Sequence, residues 1–229
     1  LHDIHGVADA IQETPDLVRS SLNELETEMQ RPRLSAQAFQ VAMRQNPEYV
    51  RGMYLKFLRC EEFRVRDASE RMIRHFDLKK TLFGVDKLGR DITLSDFDVF
   101  DLDCLKAGFY QLLPQRDRAG RCIFMKTWYH QTFHVRENVW RALWYIFMVA
   151  SMDEESQKKG MVALIYNVDP NWKDTFDAEL FAGVGKIVKS APLRNAATHY
   201  CFLDPAFGAI VKFISMAMDR NSRTRTRLH

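Results

Sequence analysis

The stretch that decides the fold is MVALIYNV, residues 161–168. It is apolar at almost every position, as expected for a strand covered on both faces. Upstream, RCIFMKTW (121–128) reads as another strand, entered through the turn-like DRAGR (117–121). Downstream, THYCFL (198–203) reads as a third. Helical patterns separate them. Trp140, Leu143, Trp144 and Phe147 keep phase over about 136–151, and Phe176, Leu180, Val184 and Ile187 over about 175–189. After Pro205, the residues Phe207, Ile210, Val211, Ile214 and Met218 mark a further helix, and SRTRTRLH alternates like a last strand. Strand and helix in alternation predict an α/β fold, with a mostly parallel sheet joined by right-handed crossovers.

The first half reads as helices. Thr14 and Pro15 form an N-cap and first helical residue, followed by Val18, Leu22, Leu25 and Met29 at helical spacing, and Pro32 ends the segment. Ser35 caps a short second helix, and Pro47 opens a third with Val50, Met53, Tyr54, Phe57 and Leu58 on one face. Asp67 and Glu70 make a capping-box pattern that starts a fourth helix, ending at Gly84. Residues 85–100 read as a polar connector. Leu102, Leu105, Phe109 and Leu112 predict one more helix, stopped by Pro114.

Composition narrows the function class. With 229 residues the chain holds one large domain or two small ones. Hydrophobic residues at 46% and charged residues at 28% exclude wholesale disorder and collagen-like sequence. Sixteen Phe, seven Tyr, four Trp and ten Met leave much bulky apolar surface for a core or a ligand cavity to absorb. A net charge of +3 demands no polyanionic partner. Cys60, Cys104, Cys122 and Cys201 lack CxxC spacing, which argues against a disulfide scaffold or zinc site and for a reducing compartment. No signal-peptide pattern is read at the N-terminus. The longest apolar run, residues 142–150, is far short of the roughly 20 residues a membrane span needs.

No GxSxG, HExxH or glycine-rich phosphate loop is present, and Gly183 and Gly185 fall inside a helical pattern. His130 and His134 have ligand-like spacing but sit where a strand gives way to a loop, so they read as a surface pair rather than a metal site. Asp153, Glu154 and Glu155 read as a solvated helix end. Asp169 closes a strand where open sheets often bind ligands. The tail places Arg220, Arg223, Arg225 and Arg227 together, either as a phosphate-binding cluster or as charges protecting an edge strand. The stripe on helix 206–218 reads as core or as a bilayer-inserting face. No recognition-helix pattern or aromatic-rich basic groove supports nucleic acid.

Five blocks together resemble the CRAL-TRIO lipid-binding family, over about residues 50–229: YLKFLRCEEFRVRDA (54–68), LKAGFYQLLPQRDRAGRCIFM (105–125), GMVALIYNVDPNW (160–172), KSAPLRNAATHYCFLDPAF (189–207) and NSRTRTRLH (221–229). The pattern leans toward the tocopherol- and retinaldehyde-binding branch. The resemblance implies a helical N-terminal lobe (1–100) and a lipid-binding lobe (101–229) cut short at its C-terminus. It also implies a mobile gate helix at about 206–218. Phe124, Trp144, Ile165, Phe202, Phe207, Ile210, Val211, Phe213 and Ile214 would then line the cavity or gate, and Arg194, Arg223, Arg225 and Arg227 would meet headgroup or membrane phosphates. The sequence departs from the family pattern at several positions. Leu193 replaces the Glu of phosphatidylinositol-binding members. Glu61 and Asn221 stand where the tocopherol branch is basic. Asn167 replaces an Asp, and Ser215, Met216 and Ala217 replace the gate's Lys-Pro-Phe.

The expectation is therefore a non-enzymatic, monomeric, cytoplasmic carrier that visits membranes. It would bind a hydrophobic lipid and meet an anionic, phosphoinositide-bearing surface, with no catalytic residues, metal or cofactor. The alternative is a lipid-sensing or protein-interaction module that regulates a partner without transfer.

Overall fold

A computed structural model describes residues 11–31, 36–128, 135–167, 177–216 and 224–229 of the chain. The side chains of Trp128 and of residues 213–216 lie outside that description. Helix α1 (Pro15–Gln30) starts as the sequence predicts. Thr14 Oγ1 accepts from the Leu17 amide at 3.2 Å, and Pro15 lacks only an N–H that has no helical partner at this position. Leu25 is buried on its inner face, with Leu22 and Met29 packed beside it. Helix α2 (Gln37–Gln45) follows, and its expected cap Ser35 is outside the described residues. Asn46 Oδ1 accepts from the Tyr49 amide at 3.1 Å and opens α3 (Pro47–Gly52), which leads into α4 (Tyr54–Cys60). The predicted face of Val50, Met53, Tyr54, Phe57 and Leu58 is buried throughout.

Helix α5 (Val65–Phe83) begins earlier than the Asp67–Glu70 pattern suggests. Glu62 and Phe63 both take positive φ, 54° and 59°, and the Phe63 amide donates back to the Leu58 carbonyl at 2.7 Å. The chain thus turns directly into α5, burying Val65 and Ala68, and leaves Asp67 inside the first turn. There its charge suits the helix N-terminus and pairs with Arg64 at 2.9 Å. Gly84 ends the helix as expected.

Two 3₁₀ turns occupy the connector, and Asp98 caps α6 (Val99–Lys106). The helix expected to run through Phe109 and Leu112 stops at Lys106. Gly108, at φ 71°, turns the chain, and strand β1 (Tyr110–Arg116) pairs antiparallel with β2 (Cys122–Trp128) across the DRAGR turn. Pro114 is tolerated because β1 is an edge strand and the register shifts between Leu112 and Arg116.

After β2 come α7 (Arg136–Ala150), α8 (Glu154–Lys159), β3 (Met161–Asn167), α9 (Ala178–Ser190), β4 (Asn195–Phe202), α10 (Pro205–Met216) and β5 (Thr226–Leu228). The sheet order is β1-β2-β3-β4-β5, parallel except for β1. Strand β4 begins three residues earlier than the THYCFL reading. The last strand covers only Thr226–Leu228, so Arg225 precedes it.

One core joins the helical half to the sheet. Phe57 and Phe76 meet Trp144 and Phe147 of α7, Phe124 of β2 and Ile187 of α9 in a single buried cluster. Each such side chain contributes about 1.5–3 kcal/mol when fully buried. His75 of α5 lies inside it, fully buried, stacked on Trp144 at 5.5 Å and edge-on to Phe57 and Phe76. Burial, with the nearby Lys79 charge, pushes its imidazole down to about 3, so the ring is held neutral.

Candidate functional site

In-register pairing puts Phe124 and Lys126 (β2), Ala163, Ile165 and Asn167 (β3), Thr198, Tyr200 and Phe202 (β4) and Thr226 and Leu228 (β5) on one face of the sheet. Helix α7 covers the β1–β2 side of this face, where Phe147 meets Phe124 at 5.3 Å. Helix α10 covers the β4 side. Its Phe207 and Val211, each 3% exposed, form a second buried cluster with Tyr200, edged by Ile165, Phe202 and Ile210. Gly208 permits this close approach: a Cβ there would stand 2.3 Å from Phe202 Cζ. Ile165 packs against both clusters and is the hinge between the large core and the small one.

The residues expected to line a cavity or gate therefore divide. Ile165, Phe202, Phe207, Ile210 and Val211 come together beneath α10. Phe124 stacks with Tyr110 at 5.9 Å, and Trp144 packs with His75 and Phe83, both in the main core. Phe213 and Ile214 lie on α10, with side chains outside the description.

Three polar groups on this face were not among the residues expected to line the cavity, although Asn167 already stands out in the sequence where the family pattern has an Asp. Lys126 is paired in register with Ile165, and burial pulls its ammonium down to about 7. Asn167 is 3% exposed at the end of β3, level with Phe202. Tyr200 is buried against α10, and its hydroxyl is pushed up to about 12 by that burial. The available signal was Lys126: a lysine inside an apolar strand, two residues from Phe124 and so on its face. Leu203, directly before α10, is 77% exposed at the sheet's carboxyl edge.

The opposite edge, where β4 and β5 begin, is basic. Arg194 is 8% exposed. It donates from Nη1 to the Glu62 carboxylate and from Nη2 to the Lys158 carbonyl at 3.1 Å, while its Nε has no hydrogen-bond partner among the described residues. Arg225 donates to the Asn195 carbonyl at 3.1 Å. Burial and the charge of Arg194 push its pKa down. Arg227 donates to the carbonyls of Thr224 and Thr226 at 2.7 and 3.0 Å.

Arg220, Arg223, Asn221, His130, His134 and Asp169 are outside the described residues. Asp153 caps α8, accepting from the Ser156 amide at 2.7 Å, and pairs with Arg116, while Glu154 pairs with Arg59 and Lys158. The acidic triplet is thus exposed, as expected of a solvated helix end, and also ion-paired. Among the described residues no three His, Cys, Asp or Glu side chains gather as metal ligands, and no helix is long and apolar enough to cross a membrane.

No protein-family model matches the chain, and no curated protein matches it in sequence. Its fold does match a solved one. It is similar to the crystal structure of Sfh5, with a TM-score of 0.51 at 10% identity, over 95% of this chain and 82% of that one. At that identity the likeness speaks for architecture alone. Helices followed by a five-stranded, mostly parallel sheet with α10 laid across β4 are a Sec14-like fold.

Proposed function

We propose that the chain binds a hydrophobic small molecule or lipid between the sheet face and α10, and carries it between membranes without a chemical step. The observation that supports this most is the separation of the two buried clusters. Among the described residues, helix α10 is held by Tyr200, Phe207 and Val211 with three partly buried neighbours, of which Ile165 also edges the main core. An element attached through so small a cluster opens at a lower free-energy cost than the fold as a whole. A cavity beneath it would bind by apolar burial, at roughly 25 cal/mol per Å². Lys126, Asn167 and Tyr200 would supply the few polar groups that fix ligand orientation. Leu203 and the apolar side of α10 would meet the bilayer, and Arg194, Arg225 and Arg227 its phosphates.

The deciding experiment is mass spectrometry of lipid extracted from the purified protein, followed by transfer between vesicle populations. A co-purified lipid and transfer above the spontaneous rate are expected. A protein that carries no lipid and takes none from vesicles refutes the proposal, and occupancy without transfer assigns the chain to lipid sensing instead.

A further inference from the structure

At the basic edge the structure holds a cleft of about 330 Å³, lined among others by Glu13, Arg59, Glu62, Lys158, Lys159 and Arg194. Four cations line it with the carboxylates of Glu13 and Glu62, and at its rim the more exposed Glu154 pairs with Arg59 and Lys158 and Glu155 with Lys159. Arg59 is nearly enclosed, its side chain 9% exposed, and its fork already grips an oxyanion: Nε and Nη2 donate to the two Glu13 oxygens at 2.9 and 2.6 Å. Glu13 sits in the segment before Thr14, the cap of α1, and these bonds bind it to a helix 46 residues away in sequence. On the far wall, Glu62 and Phe63 hold positive φ, and Glu62 engages Arg194 while Arg194 Nε is buried with no hydrogen-bond partner among the described residues. Consecutive non-glycine residues in that region persist only where surroundings impose them.

We propose that Glu13 is a displaceable internal carboxylate: it closes an anion site made by Arg59, Lys158, Lys159 and Arg194, and a phosphate monoester entering the cleft takes its place. The inference rests on the phosphate-binding role given above to Arg194, and adds its regulation. A guanidinium fork accepts a carboxylate or a phosphate in the same bidentate way, so the exchange preserves both Arg59 bonds. The phosphate brings more negative charge than the carboxylate it replaces, and an extra oxygen for the idle Arg194 Nε. Displacement frees the segment that precedes α1, so occupancy at the basic edge would be read out at the N-terminus.

The shared chemistry is a phosphate monoester, and two probes separate its sources: soluble inositol bisphosphate, and phosphatidylcholine vesicles doped with a phosphatidylinositol phosphate. Glu13→Gln keeps the side chain's length and removes its charge. If the closed form dominates, relief of competition tightens binding of at least one probe roughly tenfold. In the unmodified chain, saturating probe should speed hydrogen exchange at the Leu17 and Val18 amides, which donate to Thr14 Oγ1 and to the Thr14 carbonyl next to Glu13, a readout that does not depend on the variant folding well. Equal probe affinity for parent and variant, or unchanged exchange in the parent at saturation, overturns the proposal while leaving phosphate binding intact. Absence of binding by both chains overturns the phosphate role as well. Lipid occupancy of the cavity, read from co-purified lipid, is independent of either result.

Discussion

If α10 is attached through its own small cluster, Phe207→Ala and Phe147→Ala should act on different equilibria. Phe207 is 3% exposed and packs on Tyr200, with its ring 6.0 Å from that of Phe202. Truncating a fully buried phenylalanine typically costs about 3–5 kcal/mol, including the cavity left behind. Here half the surroundings are only partly buried, so we expect about 2–3 kcal/mol, which shifts the opening of α10 by roughly 30- to 150-fold. Phe147 is 2% exposed and belongs to the main core. Its loss destabilises the closed state and the α10-open state equally, because its contacts survive in both. Native-state hydrogen exchange read by mass spectrometry on peptides covering 205–216 measures that opening directly. Phe207→Ala should erase much of the protection there, and Phe147→Ala should lower the melting temperature while leaving local opening unchanged. If Phe147→Ala exposes α10 as strongly as Phe207→Ala does, the helix opens only with the whole fold and the gate reasoning fails.

Two further outcomes follow from single side chains. His75 has its folded-state pKa pushed down to about 3, against 6.5 for the free imidazole. Its unfolded form therefore binds the extra proton between those values, and stability falls as pH drops below 6.5. At about 1.4 kcal/mol per unit the loss reaches about 2.7 kcal/mol by pH ~4.5. His75→Phe suits the aromatic surroundings and should remove that part of the acid slope in denaturant titrations, so parallel parent and variant curves would refute it. Gly208→Ala sets about 1–3 kcal/mol of overpacking against Phe202, offset by about 1 kcal/mol of helix propensity. It should lower protection of α10 without a matching fall in melting temperature, and protection equal to the parent would show that the Phe202 ring simply turns aside.

Much of the architecture was legible because its signals are local. MVALIYNV and RCIFMKTW read as strands from their own residues, and Thr14-Pro15 and Gly84 punctuate helices through geometry that needs no distant partner. The errors came where a distant partner decides. Phe109–Leu112 has helical spacing, yet Tyr110 and Leu112 pair with Lys126 and Phe124 once Gly108 has turned the chain. Asp67 and Glu70 resemble a cap, yet the tertiary turn at Glu62 and Phe63 starts the helix sooner.

The site divides in the same way. The sequence by itself determined that an apolar helix follows β4 and that arginines gather near the chain's end, since composition and periodicity carry both. Only the tertiary structure decided that Phe207 and Val211 share a cluster with Tyr200 while Phe124 and Trp144 belong to the main core, because the crossovers choose which faces meet. It also decided that Arg194 pairs with Glu62, 132 residues away, and that Arg59 grips Glu13. A charge's role depends on which opposite charge the fold brings within hydrogen-bonding reach, and sequence spacing carries no record of that distance.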